Sequence, residues 1–215
     1  MLIELNYPEA KPVTLDASKT ILVCVDMEND ACHPKAEGYG ERMRSCVEKL
    51  AALQKRVRAA GGKIIHTQSV RKRDCLEFTH FNGKVRKIEG SWEAEFVDEL
   101  KPLPGEPVIV KYTHDCFYNT EMDALLKKMG ARPAYTQIIV TGVATRACVL
   151  HAVGGFHIRD YYLYVPMDCT TQKKEEDVLQ AFSLFTGFAY SYNTVMTRSD
   201  LITLTPVKAK AAVTA

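Results

Sequence analysis

Three residues stand where this sequence can place chemistry. Asp26 ends the apolar run Ile21-Leu-Val-Cys-Val25, and Lys111 ends Val108-Ile-Val110. Cys148 follows Ile138-Ile-Val-Thr141-Gly142 by a short turn, at the start of a helical pattern. Each has a plain structural reading: an Asp that caps or turns, a solvated Lys, a Cys that packs as a small hydrophobe. Together they suit covalent attack on a carbonyl. Free N–H groups at a helix start favour a thiolate, a nearby ammonium favours it further, and a carboxylate can take the thiol proton. The set therefore predicts a Cys148 held partly as thiolate.

Alternating elements must position these residues. Strand-length apolar runs occur at 21–25, 63–67, 108–110, 138–141, 161–165 and 194–196. Helical patterns fill 43–57, 91–100, 120–129, 146–153 and 173–185, and Ser199 starts a last helical turn. Gly61-Gly62, Pro102, Pro104, Gly105 and Gly130 break the chain between them. Continuous apolar strands alternating with helices imply right-handed crossovers and helices on both faces of the sheet. The expected class is α/β, a three-layer α/β/α arrangement with a mainly parallel six-stranded sheet. Such sheets bind ligands at the carboxyl ends of their strands, which brings Asp26, Lys111 and Cys148 to one edge. No repeat or linker divides the 215 residues, so a single domain over 1–215 is expected, with 206–215 as a loose tail. Residues 69–90, charged and aperiodic, read as a long loop that covers a site.

Lys and Arg total 28 against 26 Asp and Glu, a net charge of +2 that argues for neither nucleic acid nor a membrane surface. No apolar run reaches the roughly 18 residues of a membrane span, and no secretory signal is visible at the N-terminus. Seven cysteines without a C-x-x-C pair fit a reducing cytoplasm better than a disulfide scaffold. The expected partners are a small-molecule substrate and further copies of the chain. Tyr161-Tyr-Leu-Tyr164 and the aromatic stretch 182–192 suggest the buried face of a homodimer or tetramer.

The segments Val25-Asp-Met-Glu-Asn-Asp30, Val110-Lys111 and Thr141-Gly-Val-Ala-Thr-Arg-Ala-Cys-Val149 resemble the three motifs of the isochorismatase-like cysteine hydrolases. That family includes nicotinamidases, N-carbamoylsarcosine amidases and ureidoacrylate amidohydrolases, and the resemblance covers roughly residues 18 to 200. It implies a triad of Asp26, Lys111 and Cys148. It also implies an oxyanion hole from the N–H groups of Ala144 and Cys148, with a cis peptide between Val143 and Ala144. Gly90-Ser-Trp-Glu-Ala-Glu-Phe-Val-Asp-Glu-Leu100 and Phe117-Tyr-Asn-Thr120 are most similar to the ureidoacrylate and carbamoyl-amide branch. Glu28 stands where that family commonly has Gln, and Cys32 where an aromatic is common.

The nicotinamidases of this family bind a metal through an Asp-x-His pair, and Thr67-Gln-Ser-Val-Arg-Lys-Arg-Asp74 contains none. His66 lies inside a strand and reads as a core residue. Neither a metal nor a cofactor is expected. Candidate substrate contacts are Arg71, Trp92, Tyr112, His114 and Phe117. Arg71, with Arg73, Lys84, Arg86 and Lys87, reads either as part of a solvated loop or as a fork for a substrate carboxylate. The resemblance implies a cysteine-dependent amidohydrolase that cleaves the C–N bond of a small carboxamide, carbamoyl or ureido compound through a thioester. Vinyl-ether hydrolysis of the isochorismatase type, which does not need the thiol, and a non-catalytic binding protein are the alternatives.

Overall fold

In the computed structural model, which describes residues 5–80 and 85–207, a parallel sheet runs through the middle of the chain. In chain order the strands are β1 (Val13–Asp16), β2 (Thr20–Val25), β3 (Lys63–Ser69), β4 (Val108–Lys111), β5 (Gln137–Val143), β6 (Tyr162–Pro166), β7 (Thr170–Thr171), β8 (Thr194–Thr197) and β9 (Ile202–Thr205). The helices are α1 (Asn29–Cys32), α2 (Glu41–Arg44), α3 (Val47–Ala59), α4 (Leu76–His80), α5 (Met122–Lys128), α6 (Leu150–His157) and α7 (Glu175–Thr186).

The main sheet has the order β4-β3-β2-β5-β6-β8, and the two-residue β7 adds to the end of β5. All its pairings are parallel. The six expected strands are present, and β7 makes a seventh. β2 lies at the centre, and each of its residues is buried. Side chains alternate across a strand. Ile21, Val23 and Val25 therefore join Phe156, Phe182 and Phe185 in one core layer, while Leu22 and Cys24 join Leu50, Leu53 and Val57 in the other.

Three segments depart from the sequence reading, and a fourth, Leu76–His80 within the expected long loop, forms α4. Residues 91–100 form no continuous helix. Two 3₁₀ turns, Trp92–Ala94 and Asp98–Leu100, flank an extended piece that pairs with the loop after β2. There Asn29 N–H donates to Glu95 O at 2.8 Å and Val97 N–H to Met27 O at 3.1 Å, so tertiary pairing overrides the local helical pattern. The segments Val13–Asp16 and Ile202–Thr205, not expected as strands, pair in parallel as a separate two-stranded sheet. The tail expected over 206–215 lies outside the described residues from 208 onward. Of the aromatics expected to form a partner face, Tyr161, Phe182 and Phe185 are buried in the chain's own core, whereas Tyr162, Phe188 and Tyr192 point outward.

Candidate active site

The carboxyl ends of β2, β3, β4 and β5 converge on one cavity. Asp26 follows β2 with φ of 49°, a left-handed conformation that Asp tolerates better than most residues and that turns the chain out of the sheet. Thr67, near the end of β3, donates its hydroxyl to Asp26 Oδ1 at 2.6 Å. Lys111 ends β4, where alternate residues are buried, and its Nζ donates to Asp26 Oδ2 at 2.7 Å and to Thr113 O at 3.0 Å. Asp26 is 3% exposed and Lys111 0%, so this is a desolvated ion pair with each carboxylate oxygen satisfied.

β5 carries the third group. Gly142 faces Val25 across the β2–β5 pairing, and a Cβ there would come within 2.1 Å of Val25 O. Its φ of 103° is also one that L side chains rarely adopt, so glycine alone fits. The Val143–Ala144 peptide is cis. A π turn, Thr145–Val149, then leads into α6, and Cys148 sits in that turn, 6% exposed. The cavity, about 160 Å³, is lined by Asp26, Val143, Ala144, Ala147 and Cys148 on this side, and by Asp30, Arg71, Arg86, Lys87, His114 and Lys173 around its mouth.

Charge in the site is distributed unevenly. Burial pushes the Asp26 carboxyl up, but Lys111, Lys87 and a hydrogen bond from the Cys148 thiol outweigh it and hold it below the usual carboxylate range. Burial works against the Lys111 ammonium, and Asp26 and the sulfur overcome it, so that Lys111 is held above the ordinary lysine range. Burial and then the Asp26 charge push the Cys148 thiol up to about 12, although Lys111 and Lys87 pull the other way. The free thiol is therefore protonated at neutral pH, which corrects the expected partial thiolate: desolvation and the neighbouring carboxylate outweigh the two ammonium groups.

Of the five expected substrate contacts, two line the cavity. Arg71 does, with its Nη1 on Ser69 Oγ at 2.9 Å and its Nε on Glu77. His114 does, with Nδ1 at 3.2 Å from Cys148 Sγ. The other three lie elsewhere. Trp92 is half-exposed and stacks edge-on against His33 at 4.9 Å. Tyr112 points outward, its hydroxyl on Glu89 at 3.0 Å. Phe117 packs into the core against Phe156 at 4.9 Å, beneath the Arg159 guanidinium. His66 is fully buried and bonds Glu106 Oε2 at 3.0 Å, away from the cavity.

Sequence reasoning missed three participants. Thr67 was visible as a polar strand end beside Asp26. Glu28, noted only as a departure, is fully buried and accepts from Ser69 N–H. Its Oε2 lies 3.2 Å from Lys87 Nζ. Burial pushes the Glu28 carboxyl up to about 8 against the pull of Lys87. Lys87 belongs to the basic stretch 71–87. The returning leg of that loop pairs with Arg71, which donates its N–H to Lys87 O at 2.8 Å and accepts from Glu89 N–H at 3.2 Å, and this carries Lys87 into the cavity. Lys84 lies outside the described residues.

Known proteins resemble this chain in sequence and in fold. The ureidoacrylate amidohydrolase RutB of Methylorubrum extorquens strain AM1 is 27% identical over 208 residues, covering 83% of this chain and 82% of that protein. An isochorismatase-like hydrolase from Alkaliphilus metalliredigens superposes with a TM-score of 0.74 at 24% identity, covering 85% of this chain and 96% of the other. The N-carbamoylsarcosine amidase from Thermoplasma acidophilum gives a TM-score of 0.71 at 21% identity, covering 85% and 97%. The family model for the isochorismatase domain matches residues 20–200, nearly the whole described chain. On sequence and fold alike, the chain belongs to the isochorismatase family.

Proposed function

We propose that this protein is a cysteine-dependent amidohydrolase that cleaves the C–N bond of a small carboxamide, carbamoyl or ureido compound through a thioester. The observation that carries the reading is the desolvated Asp26–Lys111 pair, 2.7 Å apart, whose Asp26 lines the same cavity as Cys148. Similarity to a ureidoacrylate amidohydrolase supports it.

With the thiol pushed up to about 12, attack cannot begin from a standing thiolate. Asp26 takes the Sγ proton as the C–S bond forms, and Lys111 remains charged beside it. Negative charge then develops on the substrate carbonyl oxygen. The N–H groups of Ala144 and Cys148, both on the cavity wall, serve that oxyanion, at about 3 kcal/mol for each well-placed donor. Asp26 returns the proton to the leaving nitrogen, the C–N bond breaks, and water hydrolyses the thioester. Arg71 meets Glu77, Arg86 meets Asp30 and Lys87 meets Glu28. With the Glu28 carboxyl pushed up to about 8, Lys87 together with Lys173 leaves positive charge on the cavity, which favours a substrate that carries a carboxylate besides the scissile amide.

Ammonia release from a panel of simple carboxamides, N-carbamoyl amino acids and ureido acids tests the reading. Hydrolysis is expected within the carboxylate-bearing ureido and carbamoyl members. Failure across the whole panel, with folded protein, would contradict it.

A further inference from the structure

His114 touches the reacting atom without belonging to the Asp26, Lys111 and Cys148 set. Its Nδ1 stands 3.2 Å from Cys148 Sγ, and its ring lines the cavity. Asp26 and Lys111 are closed off from solvent, whereas His114 is exposed on its outer side. The imidazole meets both the sulfur and the water outside.

We propose that His114 is the catalytic base for thioester hydrolysis. This rests on the reading of Cys148 as nucleophile. Once Sγ carries the acyl group its proton is gone from between Asp26 and Nδ1, and the imidazole tautomer with Nδ1 unprotonated turns a lone pair toward a water beside the sulfur. A water can then bridge Nδ1 and the acyl carbon bonded to Sγ. Nδ1 takes one water proton as the water oxygen bonds to that carbon. The tetrahedral intermediate collapses, the C–S bond breaks, and the proton passes from Nδ1 to Sγ. Thiol and neutral imidazole are restored, and the acid leaves.

The surroundings keep the ring in its basic form. Arg71 from the loop after β3, Lys111 from β4 and His151 from α6 face it, with Glu77 of α4 opposing them; His151 lies 5.5 Å away, ring to ring, with its own Nδ1 fixed on Ala147 O at 2.8 Å. Partial burial, and then Arg71, Lys111 and His151, lower the His114 pKa from its ordinary 6.5. The imidazole is thus neutral at pH 7, and the deacylation rate should fall only as pH drops below 6.5.

p-Nitrophenyl acetate isolates this step, because its leaving group needs no proton. Wild type, His114→Asn, His114→Ala and, as blank, Cys148→Ala are mixed with it. The p-nitrophenolate burst reports acylation, and the loss of acetyl from isolated acetyl-enzyme, followed by intact-protein mass spectrometry, reports deacylation. His114→Asn is expected to keep a burst within a few-fold of wild type while its acetyl-enzyme decays about 100-fold more slowly, in line with the lower end for a general base. Added imidazole should restore decay in His114→Ala. Acetyl-enzyme that decays at the wild-type rate in both variants, or a variant that loses its burst, would overturn the role of His114. Absence of any Cys148-dependent burst in wild type would instead overturn the nucleophile on which it depends.

Discussion

Two buried carboxyls a few residues apart should respond to pH with opposite sign. Asp26 is held below its ordinary pKa in the fold, so it contributes stability above the unfolded value near 3.8 that is lost as pH falls. Glu28 is raised to about 8 from 4.5, so the folded state binds the extra proton between those values. Its contribution is present below pH 4.5 and is lost as pH rises through 8. Thermal melts of Glu28→Gln against wild type should therefore diverge in favour of the variant as pH climbs from 5 to 9; parallel curves would show that Glu28 is not raised. A second expectation concerns the thiol. Because Asp26 raises the Cys148 pKa, Asp26→Asn should react faster with iodoacetamide at pH 8 while losing turnover. Slower alkylation in that variant would contradict the charge balance described for the site. Asp26 and Lys111 were legible because each ends an apolar run, and Cys148 because a short glycine turn separates one from a helical pattern. Lys87 was not, because a loop lysine shows nothing of the backbone pairing with Arg71 that carries it inward.

Among the elements, the β5 turn leaves no room for a side chain at Gly142. Gly142→Ala puts a methyl group 2.1 Å from Val25 O at a φ of 103°. The strained backbone alone costs about 1–3 kcal/mol, and the clash adds to it, so a marked fall in melting temperature together with lost activity is expected. Phe117 separates packing from binding. It was expected to touch substrate, yet it fills the core against Phe156 and Gly155. Phe117→Ala should cost about 3 kcal/mol in denaturant unfolding and leave KM unchanged; an unaltered stability with a raised KM would restore the binding role. Strands with continuous apolar runs were readable from local pattern. The extended piece at 95–97 was not, because its hydrogen bonds go to residues 27–29, nor was the β1–β9 pair, whose four-residue partners lie at opposite ends of the chain.

At the scale of the whole molecule, near-neutral charge goes with a cavity lined by more basic than acidic side chains. The net charge is +2, yet four of the six charged side chains named on the cavity are cationic. For an N-carbamoyl amino acid, kcat/KM should fall as salt is raised from 0.01 to about 0.5 M, where the screening length shrinks to a few ångströms, whereas an uncharged amide should show no such fall. Among the described residues no three of His, Cys, Asp or Glu converge to hold a metal ion. Dialysis against a strong chelator should accordingly leave the rate unchanged, and a rate that collapses and returns with zinc or iron would require ligands beyond this cavity.

The covalent role of Cys148 is tested most directly by comparing ammonia release from the best panel substrate in wild type and in Cys148→Ser. The serine variant should fold and melt as wild type does and release no ammonia above background. A folded variant that retains more than a small fraction of the wild-type rate would mean that the C–N bond is broken without this thiol.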